Sequence, residues 1–240
     1  MQNKAVKKNV VLGILFFLPV IFLLFLYPAK HNYNVLDTVQ EQVNELEAFK
    51  NDSTEEITFK DNITVLNFLG AKPMDQSTAV LNLSQMIYGK FKGFKRFQIV
   101  SLVPYGVNEE VQRLKDEIGK YDDLKYWKFV YGNPKDILKV HESLGLKTSL
   151  NEDFASDIVH IIDKDRNLRG RLDDRSDKEK EKESPPYQLM GYDCISVDVL
   201  KNKMSDDMRV LFTEYRQKRK GNFDSSSRRA EDLKESNEED

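Results

Sequence analysis

The chain holds a single cysteine, Cys194, among 240 residues. An intramolecular disulfide is therefore impossible, and so are a dithiol redox site and a multi-cysteine zinc site. The three histidines, His31, His141 and His160, lie far apart and show no HExxH-type ligand spacing. Positive charge is not in excess: the net charge is −3. No overall basic field therefore argues for nucleic acid. No GxGxxG, P-loop, GxSxG or triad-like pattern occurs, so no nucleotide or other cofactor is implied and no enzyme class is suggested.

What is present begins with an apolar run. Residues 10–27 carry no charge and are broken only by Gly13 and Pro19. That length suits a hydrocarbon core. Lys4, Lys7 and Lys8 precede the run and Lys30 follows it, which predicts an N-in, C-out anchor. The alternative is a cleaved signal peptide, but Tyr27-Pro28-Ala29-Lys30 fits an A-x-A-like site poorly. The expectation is a cytoplasmic residue 1–9 segment, a transmembrane helix over 10–27 and a soluble part outside the cytosol. In a Gram-negative cell this means an inner-membrane protein with a periplasmic domain.

Residues 28–54 form a juxtamembrane stretch, in which Val35, Leu36, Val39, Val43, Leu46 and Phe49 have partial helical spacing. Ile57–Phe59 and Ile63–Leu69 read as strands, the second apolar enough to be covered on both faces. A helix follows over 77–91, capped by Asp75 or Ser77. Strands are expected over 97–103, 126–131 and 157–162, with a further one near 168–172. Helices are expected over 108–120, capped by Asn108, and 134–144, started by Pro134. The charged segment 175–186 reads as an exposed loop and 197–218 as a helix. Residues 221–240 are polar and predicted disordered. Strands alternating with helices, then a hairpin and a closing helix, give a thioredoxin-like α/β sandwich over residues 55–220.

In this order the chain resembles the SCO/SenC family of membrane-anchored, thioredoxin-fold proteins implicated in copper delivery to cytochrome c oxidase. The resemblance rests on the strand Val65–Leu69 followed by Pro73, and on Asp157–Asp165, which is similar to the family's strand ending in an Asp-Pro-Asp-Gly-like turn. It implies two cysteines and a distant histidine as copper ligands, since Cu(I) prefers soft donors. Aligned on Pro73, the cysteine positions fall on Lys72 and Gln76. The histidine position, counted back from Asp163, falls on Ala155. The resemblance thus implies a degenerate site at Lys72, Pro73, Gln76 and Ala155. It also implies a non-catalytic binding or assembly partner in the envelope, linked to oxidase biogenesis.

The alternative is a metallochaperone or thiol-redox protein using Cys194 with methionine or histidine ligands. Cys194 is a candidate for thiol contact with a partner, against a small hydrophobe packed before the last helix. Met74 is a soft donor with no neighbouring ligand in sequence. His160 reads as a core residue and His141 as surface. Asp163, Asp165, Asp173 and Asp174 are offset by Lys164, Arg166, Arg169, Arg171 and Arg175, which predicts a solvated hairpin and no metal site. The run Arg216, Lys218, Arg219 and Lys220 suits a helix C-terminus and, secondarily, anionic lipid.

Overall fold

A computed structural model describes residues 11–22, 35–53 and 55–219. They fall into two units, divided at residue 35. In the first, residues 11–22 form helix α1, whose Val, Leu, Ile and Phe side chains are exposed. Among the described residues no helix is long and apolar enough to cross a membrane. The predicted span runs past α1 at both ends, and residues 10 and 23–27 lie outside the described residues. So do the expected N-terminal segment, residues 28–34 with Lys30 and His31, and the predicted tail with Lys220.

The second unit is built on a sheet. Its strands are β1 (Asp37–Gln40), β2 (Lys50–Asn51), β3 (Ile63–Leu69), β4 (Phe97–Pro104), β5 (Trp127–Gly132), β6 (Ala155–Ile162), β7 (Leu168–Gly170) and β8 (Tyr192–Asp193). The order is β1-β7-β6-β3-β4-β5-β2, with β8 added to β6. β3, β4 and β5 are parallel, and β6 runs antiparallel to β3. Every residue of β3 and β4 is buried, as continuous apolar runs require when helices cover both faces.

Alternate residues of β3 feed two cores. Ile63, Val65 and Leu69 join Val80, Leu83, Val111, Leu114, Leu200 and Leu211. Leu66 and Phe68 join Val43, Leu46, Phe59, Ile137 and Val140. One face therefore carries α2 (Ser77–Leu83), α3 (Gly89–Phe91), α4 (Asn108–Gly119) and α7 (Ser205–Arg219). The other carries α5 (Pro134–Ser143) and the irregular segment around residues 43–59. A 3-10 turn, Pro73–Gln76, leads into α2, and a π-helical turn, Ser84–Tyr88, joins α2 to α3. A second π-helical turn, Val199–Met204, leads into α7 and packs on the first.

Several expectations are corrected. Residues 35–49 form no helix; β1 pairs with β7 and the chain then crosses the sheet edge, burying Val43 and Leu46. Ile57–Phe59 is no strand, because Ile57 and Phe59 are held by the second core instead of by a neighbouring strand. The 175–186 loop contains the short helix α6 (Asp177–Glu181), closed by a Ser176–Glu179 capping box. Asn108 lies inside α4, and neither it nor Asp75 nor Ser77 makes a side-chain cap. His141 is buried, its ring edge-on to Phe68. Asp163 is buried as well: its Oδ1 accepts from the amides of Asp165 and Asn167, and its Oδ2 from Arg169. The hairpin aspartate thus organises a turn and an internal ion pair.

Candidate functional site

The loop after β3 is shaped by Gly70. Its φ is +67°, and a Cβ there would stand 2.2 Å from the Asp153 carbonyl oxygen. Only glycine permits both the left-handed backbone and this approach. The Ala71 amide then donates to the same Asp153 oxygen at 2.7 Å. Opposite lies a tight turn over residues 151–155. Asn151 Oδ1 accepts from the amides of Asp153 (3.0 Å) and Ala155 (2.8 Å), and Phe154 takes φ +63°. This is an Asx-type turn, in which a short amide side chain replaces backbone partners.

The two loops bring the Lys72 and Ala155 positions to the same end of the sheet. Ala155 opens β6 and pairs with Leu69, the last residue of β3. Lys72 Nζ donates to Asp153 Oδ2 at 2.9 Å in a solvent-facing ion pair. That bond, aided by the charges of Asp153, Asp75 and Glu110, raises the lysine pKa above its ordinary value. Lys72 is therefore a fixed ammonium. Pro73 is buried at the start of the 3-10 turn. Gln76 is half-buried, and its Oε1 is buried without a hydrogen-bond partner, as is Asn67 Oδ1 in β3. Met74 packs against the first core.

These groups are a poor donor set for copper. An ammonium repels a cation, the amide oxygen of Gln76 is a hard and weak ligand, and the Ala155 methyl offers none. Among the described residues no cluster of three His, Cys, Asp or Glu side chains could hold a metal ion.

Cys194 belongs to a different environment. It follows β8, donates its amide to the Asp157 carbonyl and accepts from Asn82 Nδ2 of α2 at 2.9 Å. The side chain is 1% exposed in the first core, and burial pushes the thiol pKa well up. A protonated, enclosed thiol is a weak nucleophile. His160, as the sequence suggests, is interior. Its Nδ1 lies 2.8 Å from the Met190 carbonyl oxygen, which can only accept, so Nδ1 carries the proton.

Sequence reasoning missed Gly70, Asn151 and Asp153. Gly70 after an apolar strand is a visible turn signal, and Asn151-Glu152-Asp153 is a visible Asx signal. Their partnership across the sheet leaves no mark in local pattern.

No family model matches the chain, and no curated protein matches it. Solved structures do. BsSco, described as a member of the Sco family of cytochrome c oxidase assembly proteins with a disulfide switch, is 12% identical; the match covers 75% of this chain and 99% of BsSco, with a TM-score of 0.50. The soluble domain of Sco1 from Bacillus subtilis is 12% identical over 71% of this chain and 92% of its own, at a TM-score of 0.42. Copper-bound ScoI of Arabidopsis thaliana is 14% identical over 69% and 97%, at 0.41. The likeness to BsSco establishes the fold: a thioredoxin-like α/β sandwich with a central sheet flanked by helices.

Proposed function

We propose that this chain is a divergent member of the Sco family, anchored in the membrane by the apolar segment 10–27. In this reading it acts without catalysis, as a binding or assembly factor in the cell envelope linked to oxidase biogenesis. The observation that carries it is the Lys72–Asp153 ion pair. A fixed ammonium stands where the resemblance puts the first copper-ligating cysteine, and its partner Asp153 lies two residues from the histidine position, Ala155. The enclosed Cys194 supports the same reading, since its thiol lies in the core.

The test is a Cu(I) titration of the purified full chain under reducing conditions. No stoichiometric binding is expected. Tight binding that disappears in Cys194→Ser would overturn the proposal and favour a metallochaperone built on that thiol. Crosslinking in native membranes should capture oxidase-assembly proteins. A C-terminal reporter should give an extracytoplasmic signal, and resistance to alkaline extraction should confirm the anchor.

A further inference from the structure

At the end of the sheet opposite Lys72, three loops converge. The Ile63 amide donates to the Arg96 carbonyl at 2.7 Å and the Asp61 amide to the Lys164 carbonyl at 2.9 Å. β3 has seven residues, so this end lies about 20 Å from the Lys72 loop. It is basic and aromatic. Phe94 is 45% exposed, although its ring packs on Phe212 of α7 at a centroid distance of 4.4 Å. Lys95, Arg96 and Arg219 are exposed beside it, and Lys164 lies over the Tyr215 ring. Among the described residues none of Lys95, Arg96, Lys164 and Arg219 forms an ion pair. Burial lowers the Lys164 pKa, and the charges of Arg96, Arg219 and Lys95 lower it further against the opposing pull of Asp61. The cations are thus close enough to feel one another.

Cations that repel one another with no carboxylate in ion-pair contact raise the free energy of this surface, and a bound counter-anion lowers it. An exposed phenylalanine held rigidly among them adds an apolar contact. Phosphodiester headgroups over hydrocarbon offer both. We infer that the Phe94, Lys95, Arg96, Lys164 and Arg219 surface docks the domain on an anionic phospholipid bilayer, turning the Lys72 loop away from the membrane. The inference rests on the membrane reading above, because a tethered domain meets lipid at high effective concentration.

The experiment mixes the full chain with vesicles of phosphatidylcholine, with and without phosphatidylglycerol, and reads amide hydrogen exchange. Slower exchange over residues 92–97 and 164–166 is expected on the anionic vesicles alone, reversed by high salt. Lys95→Glu and Arg96→Glu should each weaken the protection about fivefold or more, and Phe94→Ser should weaken it without changing its salt dependence. Circular dichroism of each variant checks its fold, and Arg219→Glu, at a helix end, repeats the test at a tolerant position. Equal exchange on neutral and anionic vesicles would overturn the inference. So would protection by soluble polyglutamate without protection by vesicles, which would assign the surface to an acidic protein. Alkaline extraction of the same samples reports the anchor separately, so a failed anchor and a failed docking surface give different results.

Discussion

Gly70 and His160 are the two residues whose surroundings leave least latitude. A Cβ at position 70 would collide with the Asp153 backbone, which the Ala71 amide also holds. Gly70→Ala should therefore destabilise by about 2 kcal/mol or more, from left-handed strain plus the clash. Urea denaturation measures this, and a loss no larger than that of an ordinary surface substitution would mean the two loops separate freely. His160 is buried, with a pKa pushed down to about 4 mainly by burial, with His141 adding and the Met190 carbonyl opposing. Unfolded histidine titrates near 6.5. Between these values the unfolded chain binds more protons, so the stability contribution is complete above about pH 6.5 and is lost as pH falls toward 4. The loss is on the order of 3 kcal/mol. In His160→Gln most of this slope should vanish from denaturation curves measured across that window, the remainder belonging to His141, whose pKa is also lowered by burial. An unchanged slope would place the proton uptake elsewhere.

At the scale of elements, one buried ion cluster joins three distant pieces of chain. Arg169 of β7 donates to Asp163 Oδ2 at 3.0 Å, to Glu214 Oε2 of α7 at 2.7 Å and to the Leu36 carbonyl at 2.6 Å. Burial works against the arginine charge, but Glu214 and Asp163 outweigh it and raise its pKa. Removing the arginine leaves the interior Asp163 without a cation and Glu214 with Lys218 alone, at 2.6 Å, so Arg169→Leu should cost about 3–5 kcal/mol. Adding Glu214→Leu should restore part of that loss, because an interior carboxylate then held by Lys218 alone disappears. A double-mutant cycle in urea gives the coupling, and a single-mutant cost below about 1 kcal/mol would show that the cluster is open to water. The same elements show what the sequence reveals. β3, β4 and β5 are legible because strands buried on both faces write continuous apolar runs, and α4 and α5 because they present one apolar stripe each. β1 is not: Val35, Leu36, Val39, Val43, Leu46 and Phe49 imitate helical spacing while the chain crosses an edge and feeds Leu36 to one core and Val43 to the other. Asp163 looks solvated because the packing that buries it is not local: its partner Arg169 also binds Glu214 and the Leu36 carbonyl, both far along the chain. The site is half legible for the same reason. The Lys72 loop reads as a strand-to-helix junction, but the Asp153 turn that fixes it lies across the sheet.

At the scale of the molecule, the decisive fact is that two cores share one sheet. Leu66 and Phe68 pack on one face of β3 while Val65 and Leu69 pack on the other, so neither core can open without removing the wall of its neighbour. Residues 35–219 should accordingly unfold in one cooperative step. Trp127 is the single tryptophan and lies in the first core, stacked near Phe129 with its Nε1 donating to Ser101. Its fluorescence reports that face, whereas far-ultraviolet circular dichroism also sees α5 on the other. The two urea transitions should superimpose. They should also be indifferent to reductant, since one enclosed cysteine cannot form an internal crosslink that a thiol would break. An ellipticity change that precedes the tryptophan signal would mean that α5 and the 43–59 segment detach from an otherwise intact sheet. That would divide the molecule into a stable half, holding β3 to β5 with α2, α4 and α7, and a labile half on the α5 face.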